Sequence, residues 1–392
     1  MLKKFIFFLK EYVSLGNIKS SLIIFFYCLL KQNTKYPKYL LSFEKQISKY
    51  FGFKYALTFS NGTTACTSLL YAVGLKKNSK IIISKLTFPS VISSILRIGA
   101  IPIYLDFDEN LQIKENFDKN KIITADFFLI THVYGLPQDY NLIKSIKDIN
   151  QNLILIEDVS HAQGAVSNKQ YVGTQGIGSF MSMQGDKAIN AGEGGIVFTN
   201  SEKIYNKLIY LSHLNRKMDD PIKNELSLLS SIGFLGKGRM NPLGAITALN
   251  DLKSLKKRNT LLIEKIKFIH DNLNNFENLY FPKVKNYQDM GGFHYGIPFF
   301  CYSEKSLKKL KNKFKIIKFN WPILDNNDFF CDPKKFQDLL YEDQIFLSNI
   351  FDIFDKSNDL RDQLYFFDLK QIRDLSIYFI NQKIILIKKD EN

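Results

Sequence analysis

Lys187 lies in SMQGDKAINAGEGGIVFTN, residues 182–200, between two glycine-rich turns and ahead of an apolar run. A lysine that acts as a nucleophile must be uncharged part of the time, and removal from solvent lowers an ammonium pKa toward that condition. The neighbours here are Met, Gln, Gly, Ala and Ile, and Ser182, five residues earlier, can turn a hydroxyl toward the same place. Spacing alone leaves a reactive amine and a structural lysine both open. Two more stretches carry polar groups. SNGTTA, residues 60–65, follows the strand-like YALTF and opens a helix, which aims the backbone N–H groups of Gly62 and Thr63 at any ligand in front of it. That is anion-site geometry, although Asn-Gly also makes an ordinary turn. LILIEDVSHAQGA, residues 153–165, ends an apolar strand with Glu157 and Asp158 and then places His161. Successive strand side chains face opposite sides, so one acid faces a ligand and the other faces away. Asp158 as a cap for a following helix is the plainer alternative, and Asp158 with His161 as metal ligands lacks an obvious third partner. No metal site is expected.

The elements that must position these residues follow a rhythm. KIIIS (80–84), IPIYLDFD (101–108), FFLITHVYG (127–135) and LILIEDVS (153–160) are short, nearly continuously apolar runs, as strands covered on both faces must be. Helical stretches separate them, starting at residues 63, 91 and 140. This is βαβ order, so the expectation is an α/β fold with a parallel or mostly parallel sheet and helices on both faces. GSFMSMQ and GIVFTN form a second strand pair around the Lys187 loop, and NPLGAITALNDLKSLKKRNTLLIEKIKFIHDNL reads as one long helix with Pro242 in its first turn. From about residue 275 the chain mixes short strands with helices, as a smaller α+β domain would. The expected division is an N-terminal helical segment (1–42), a large domain (43–255) and a small C-terminal domain (256–392).

With 392 residues the chain is long enough to bury a core without cross-links. The net charge of +15 comes from scattered lysines, so it favours anionic partners in general. No nucleic-acid-binding pattern accompanies it, and nucleic acid is not expected as a partner. Cysteines 28, 66, 301 and 331 form no CxxC spacing, which fits a reduced, cytoplasmic compartment. MLKKFIFFLK and SSLIIFFYCLLK are apolar with basic flanks, but Leu22 to Leu30 is too short to span a bilayer. Packed or dimer-buried helices are one reading of them, and a helix lying on a membrane surface is the other.

An anion cradle, an acid at a strand end and a semi-buried lysine together suit pyridoxal 5'-phosphate, which needs an anchor, a partner for its ring nitrogen and an amine for covalent attachment. The motif order resembles the DegT/StrS family of sugar aminotransferases, pyridoxal phosphate enzymes of fold type I. FEKQISKYFGFKYALTFSNGTTA, SKLTFPSVISSILRIGAIPIYLDFD, HVYGLPQDYNLIKSI, IEDVSHAQGA, GDKAINAGEGGIVFTN and GRMNPLGAITAL carry the likeness from about residue 43 to 260. The resemblance implies a three-layer α/β/α large domain with a mostly parallel sheet. It implies that Lys187 holds the cofactor as an imine and that Asp158 keeps its pyridine nitrogen protonated. Gly62, Thr63 and Ser182 bind its phosphate, Phe88 stacks on the ring, and Ser160 and His161 contact the opposite face and the ring hydroxyl.

Two positions depart from the pattern. His161 stands where glutamine is commoner, and Lys237 stands where an asparagine reaches the phosphate of the neighbouring subunit; with Arg239 it implies a homodimer with shared active sites. A lysine can serve phosphate as a point charge. FNWPILDNNDFFCDP, in the C-terminal third, has no family counterpart. The implied reaction moves an amino group from glutamate or glutamine to a keto sugar linked to a nucleotide, for surface polysaccharide or glycan synthesis. A non-nucleotide ketone is an alternative acceptor. A pyridoxal phosphate-dependent dehydratase is another outcome, against which Lys187 argues because members of that kind carry histidine there. A scaffold that lost its chemistry is opposed by the presence of both Asp158 and Lys187.

Overall fold

The computed structural model describes residues 21–25, 38–213, 234–273, 278–292, 296–312, 316–318, 332–335 and 364–367. Most of the two N-terminal apolar stretches and of FNWPILDNNDFFCDP therefore lies outside the described residues. In chain order the elements are α1 (Lys38–Phe51), β1 (Tyr55–Phe59), α2 (Gly62–Ala72), β2 (Lys80–Ser84), α3 (Pro89–Ile98), β3 (Ile101–Leu105), α4 (Lys119–Ile123), β4 (Phe127–Thr131), α5 (Tyr140–Ile149) and β5 (Ile154–Asp158). There follow β6 (Val166–Ser167), β7 (Gln170–Tyr171), β8 (Gly178–Ser182), β9 (Gly195–Thr199), α6 (Glu202–Ser212) and α7 (Pro242–Leu273). The last described elements are β10 (Leu279–Tyr280), β11 (Ile297–Cys301), α8 (Glu304–Lys311), β12 (Ile316–Lys318) and β13 (Leu364–Phe367). The α/β class with a mostly parallel central sheet, expected from the βαβ rhythm, is the class observed.

Two compact units divide the chain: residues 1–74 with 176–256, and residues 75–175 with 257–392. In the first, β1, β9 and β8 lie side by side in that order, and both pairs are antiparallel. Gly195 sits opposite Phe59 on one side and Ser182 on the other. The chain leaving β1 then crosses close over this point, so a Cβ at residue 195 would stand 2.2 Å from the Asn61 carbonyl oxygen. Asn61 caps α2, its side chain accepting from the Thr64 amide at 2.8 Å. A Cβ at Gly62, the first residue of α2, would stand 2.7 Å from Ser182 Cβ. Glycine is required at both positions because the space is taken by backbone and a β-carbon. On the other side of the unit, buried Glu44 of α1 accepts from the Thr58 amide at 2.9 Å and its hydroxyl at 2.8 Å, stitching α1 to β1.

In the second unit, β5, β4, β2 and β3 lie in that order and every pair is parallel. The isoleucine, leucine and phenylalanine side chains of β2 and β4 are buried, with Leu105 of β3 and Ile156 of β5, while Ile101, Ile103, Ile154 and Leu155 on the flanking strands are half-buried. Asp139 starts α5 by accepting from the Asn141 amide, and Leu142, Ile143 and Ile146 then bury one face of that helix. The strands β10, β11, β13 and β12 form a separate antiparallel sheet in that order. Ile266, Ile269 and Leu273 from the end of α7 share one buried core with Phe281 and with Phe299 and Phe300 of β11. Among the described residues no helix is long and apolar enough to cross a membrane.

This arrangement yields two predictions. Gly62→Ala is expected to lower stability by about 1–3 kcal/mol through the clash with Ser182. Gly185→Ala, whose Cβ would meet its nearest neighbour at an ordinary 3.7 Å, is expected to stay within about 0.5 kcal/mol. Thermal or urea unfolding of the two variants tests the contrast. The second concerns His270, packed 4.5 Å from the Phe281 ring centroid with Nδ1 2.8 Å from the Tyr287 hydroxyl. Burial pushes its pKa down to about 4 against a small opposing pull from Asp271. As pH falls below the ordinary histidine value, the unfolded chain takes up a proton that the folded chain refuses. Stability is therefore full above about pH 6.5, declines between there and pH 4, and loses up to roughly 3 kcal/mol from this group. Unfolding of His270→Gln across the same range should show a correspondingly flatter pH dependence.

Candidate active site

In the first unit, the antiparallel pairing of β8 and β9 closes a loop over residues 183–194 that carries Lys187. Its base is held by the Met183 amide donating to Gly194 O at 2.8 Å and the Ala191 amide donating to Met183 O at 2.8 Å. Inside the loop Asn190 acts as a strut: Nδ2 donates to Gly185 O at 2.7 Å, and Oδ1 accepts from the Gly192 amide at 2.6 Å. Asp251 of α7 accepts from the Asn190 amide at 3.0 Å, tying the loop to the long helix. Gly244, one turn into that helix, admits Ala191 so closely that a Cβ there would lie 2.7 Å from its carbonyl oxygen. The result is a buried Lys187, 6% exposed, on a loop crossed by hydrogen bonds from both ends. Neither Asn190 nor Asp251 was identified from the sequence. The glycines around Asn190 marked a turn, but nothing in the linear order joins it to a helix sixty residues further on.

Gly62, Thr63 and Ser182 come together in the same unit. The amides of Gly62 and Thr63 open α2 and have no acceptor within the helix. Ser182, the last residue of β8, stands against Gly62, and its Oγ lies 3.4 Å from the Gln184 amide. Two amides and a hydroxyl thus lie close together at a positive helix end, which suits an oxyanion such as phosphate. Lys237 is exposed, and the adjoining Gly238 is buried, accepting from the Ser60 amide at 2.7 Å. This backbone contact brings the 237–239 segment to the turn that precedes α2.

In the second unit, Asp158 ends β5 and is 3% exposed. Its Oδ1 accepts from the Ser160 amide at 2.9 Å, a tight turn in place of the helix cap considered from the sequence. His161 follows, buried, with its ring 5.4 Å from that of Tyr134 and its carbonyl accepting from the Gly135 amide at 2.6 Å. Glu157 has different partners from Asp158: it bonds to His132 and to the amides of Gly173 and Gln175. Phe88 precedes α3 and is 40% exposed. Among the described residues no group of three or more His, Cys, Asp or Glu side chains is placed to hold a metal ion.

Both units therefore carry their polar groups at strand ends and helix starts, where open α/β sheets place ligands. GDP-perosamine synthase of Vibrio cholerae is 33% identical over 178 residues, 45% of this chain and 48% of that protein. The chain spans about half the length of the curated relatives it matches. The Escherichia coli GDP-4-keto-6-deoxy-D-mannose-3-dehydratase, solved with bound hydrated PLP, superposes with a TM-score of 0.71 at 20% identity, over 92% of this chain and 95% of that one. NtdA from Bacillus subtilis, solved with the cofactor PMP, gives a TM-score of 0.71 at 19% identity, over 95% of this chain and 83% of that one. These likenesses establish the fold. The sequence profile of the DegT/DnrJ/EryC1/StrS aminotransferases matches residues 29–321, and the chain belongs to that family.

Proposed function

We propose that this protein is a pyridoxal phosphate-dependent aminotransferase that moves an amino group from glutamate or glutamine to a keto sugar carried on a nucleotide. The observation that carries the reading is the buried Lys187 on a loop whose conformation is fixed from both ends. The residues present fit the cofactor. The close approach of Gly62 to Ser182, which a Cβ on residue 62 would prevent, leaves two amides and the Ser182 hydroxyl beside one another for a phosphate. Buried Asp158, with one oxygen fixed by Ser160, suits a protonated ring nitrogen. Phe88 suits the ring face, and Ser160 and His161 its opposite side. Lys237 is proposed to reach the phosphate of a neighbouring subunit in a homodimer with shared sites.

Bound in this way, pyridoxal phosphate supplies an aldehyde that captures amines and a ring that withdraws electrons from the attached carbon. Lys187 has two tasks. Its Nζ would hold the cofactor between turnovers and, once free, would take the proton from the donor α-carbon and pass it to the adjoining cofactor carbon. In the second half it would carry the proton the opposite way, from that cofactor carbon to the sugar carbon that receives the amine. Asp158 supports both halves by holding negative charge at a fixed place, so that no solvent has to reorganise around it. Proximity of the GDP-sugar proteins named above supports a nucleotide-linked acceptor.

A dehydratase is the second reading, favoured by the named activity of the E. coli structural relative. Lysine at position 187 stands against it, and the products separate the two: transamination releases a keto acid for every amino sugar formed.

Addition of pyridoxal phosphate is expected to give an absorbance band near the visible edge that borohydride removes. Lys187→Ala should lose that band and lower transamination by at least about 10³-fold while keeping its circular dichroism spectrum. Ordinary turnover by this variant with a panel of nucleotide-linked keto sugars and glutamate would refute the assignment.

A further inference from the structure

We propose that His132 and Glu157 form a positioning pair for Asp158, fixing the ends of the two strands from which its carboxylate projects. The inference rests on the cofactor reading above, in which Asp158 meets the ring nitrogen. Both side chains are 0% exposed, and His132 Nε2 lies 3.1 Å from Glu157 Oε2. The Gln138 amide donates to His132 Nδ1 at 3.0 Å. Nδ1 is therefore the acceptor, the ring proton resides on Nε2, and the imidazole is neutral and donates to Glu157. The same carboxylate accepts from the Gly173 amide on Oε2 and from the Gln175 amide on Oε1, each at 2.7 Å. Three N–H donors thus converge on one buried acid, as the burial of a polar group requires.

The location of this network gives it a consequence. Thr131 at the end of β4 is the register partner of Asp158 at the end of β5, and the His132 amide extends the ladder by donating to Asp158 O at 3.0 Å. Ile130 pairs with Glu157, so His132 and Glu157 share one face of the sheet, while Thr131 and Asp158 share the other. On that other face Thr131 exchanges a 2.8 Å hydrogen bond with Thr87, which directly precedes Phe88. The pair accordingly clamps from behind the two strand ends that present Asp158 in front. Glu157 also draws in the 173–175 segment, and Gln138 draws in the loop that leaves β4. A carboxylate must be held to within tenths of an ångström to serve a ring nitrogen, and its bond to Ser160 ties it to the adjacent turn, so the placing of the strand ends sets its position.

The test compares His132→Leu, which removes both hydrogen bonds, with His132→Gln, whose amide can still donate to Glu157. Each folded protein is titrated with pyridoxal phosphate, and the pH midpoint of the bound cofactor's absorbance is recorded. His132→Leu is expected to bind the cofactor about 10-fold more weakly and to shift the midpoint, while His132→Gln stays within about 3-fold of the unaltered protein. Should His132→Leu fail to fold by circular dichroism, Glu157→Gln is read in the same way. A lowered melting temperature with unchanged cofactor affinity and unchanged midpoint would show a merely structural pair and overturn the inference. Failure of the unaltered protein to bind pyridoxal phosphate would instead remove the cofactor reading, and the pair's role with it.

Discussion

Everything around the candidate phosphate cradle depends on one steric constraint: backbone passes where a side chain would otherwise be. Phe59, Gly195 and Ser182 lie in line across three strand ends, and the Asn61–Gly62 turn crosses directly over them. Because residues 62 and 195 lack a β-carbon, the start of α2 approaches the end of β8 closely enough to bring its amides beside the Ser182 hydroxyl. Any larger residue at either position would push the helix start away from the strand. The proposed anion binding rests on that approach and on the helix end.

The Lys187 loop solves a related problem by other means. A loop holding a buried lysine must hide a polar chain while remaining rigid, and glycine-rich segments are intrinsically mobile. Here Asn190 spans the loop from within, Asp251 grips it from α7, and Gly244 lets α7 come close. Glycines thus provide the shape, and the hydrogen bonds remove the freedom that comes with them. Family membership and a fold shared with cofactor-bound relatives agree with this construction.

The two acids that end β5 show how neighbouring residues of similar chemistry acquire different work. Glu157 turns to a face closed by His132 and backbone amides, whereas Asp158 turns to the other and is held by Ser160. Strand alternation separates them, and the partners on each face complete the distinction. A buried acid on the closed face stabilises geometry; a role in cofactor recognition is proposed only for the one on the other.

Much of this was legible in the linear order. The strands at 80–84, 127–131 and 195–199, the helix starting at Pro242 and the exposed helix end at Gly62 all follow from apolar runs, turn residues and caps that act within a few positions. Such signals are local, so a sequence contains them in full. The clamp of Asp251 on Asn190, the neutral tautomer of His132 and the crossing of Asn61 over Gly195 could not be read there. The strand at 364–367, which pairs with both 297–301 and 316–318, was likewise missed, since a four-residue apolar run has no periodicity of its own. Each of these joins residues tens of positions apart, through contacts that exist only once the chain has closed on itself. The sequence by itself determined which elements form and which residue types reach their ends. Tertiary structure alone decided which of those ends meet, because close packing and hydrogen-bond partnership are properties of distance in space.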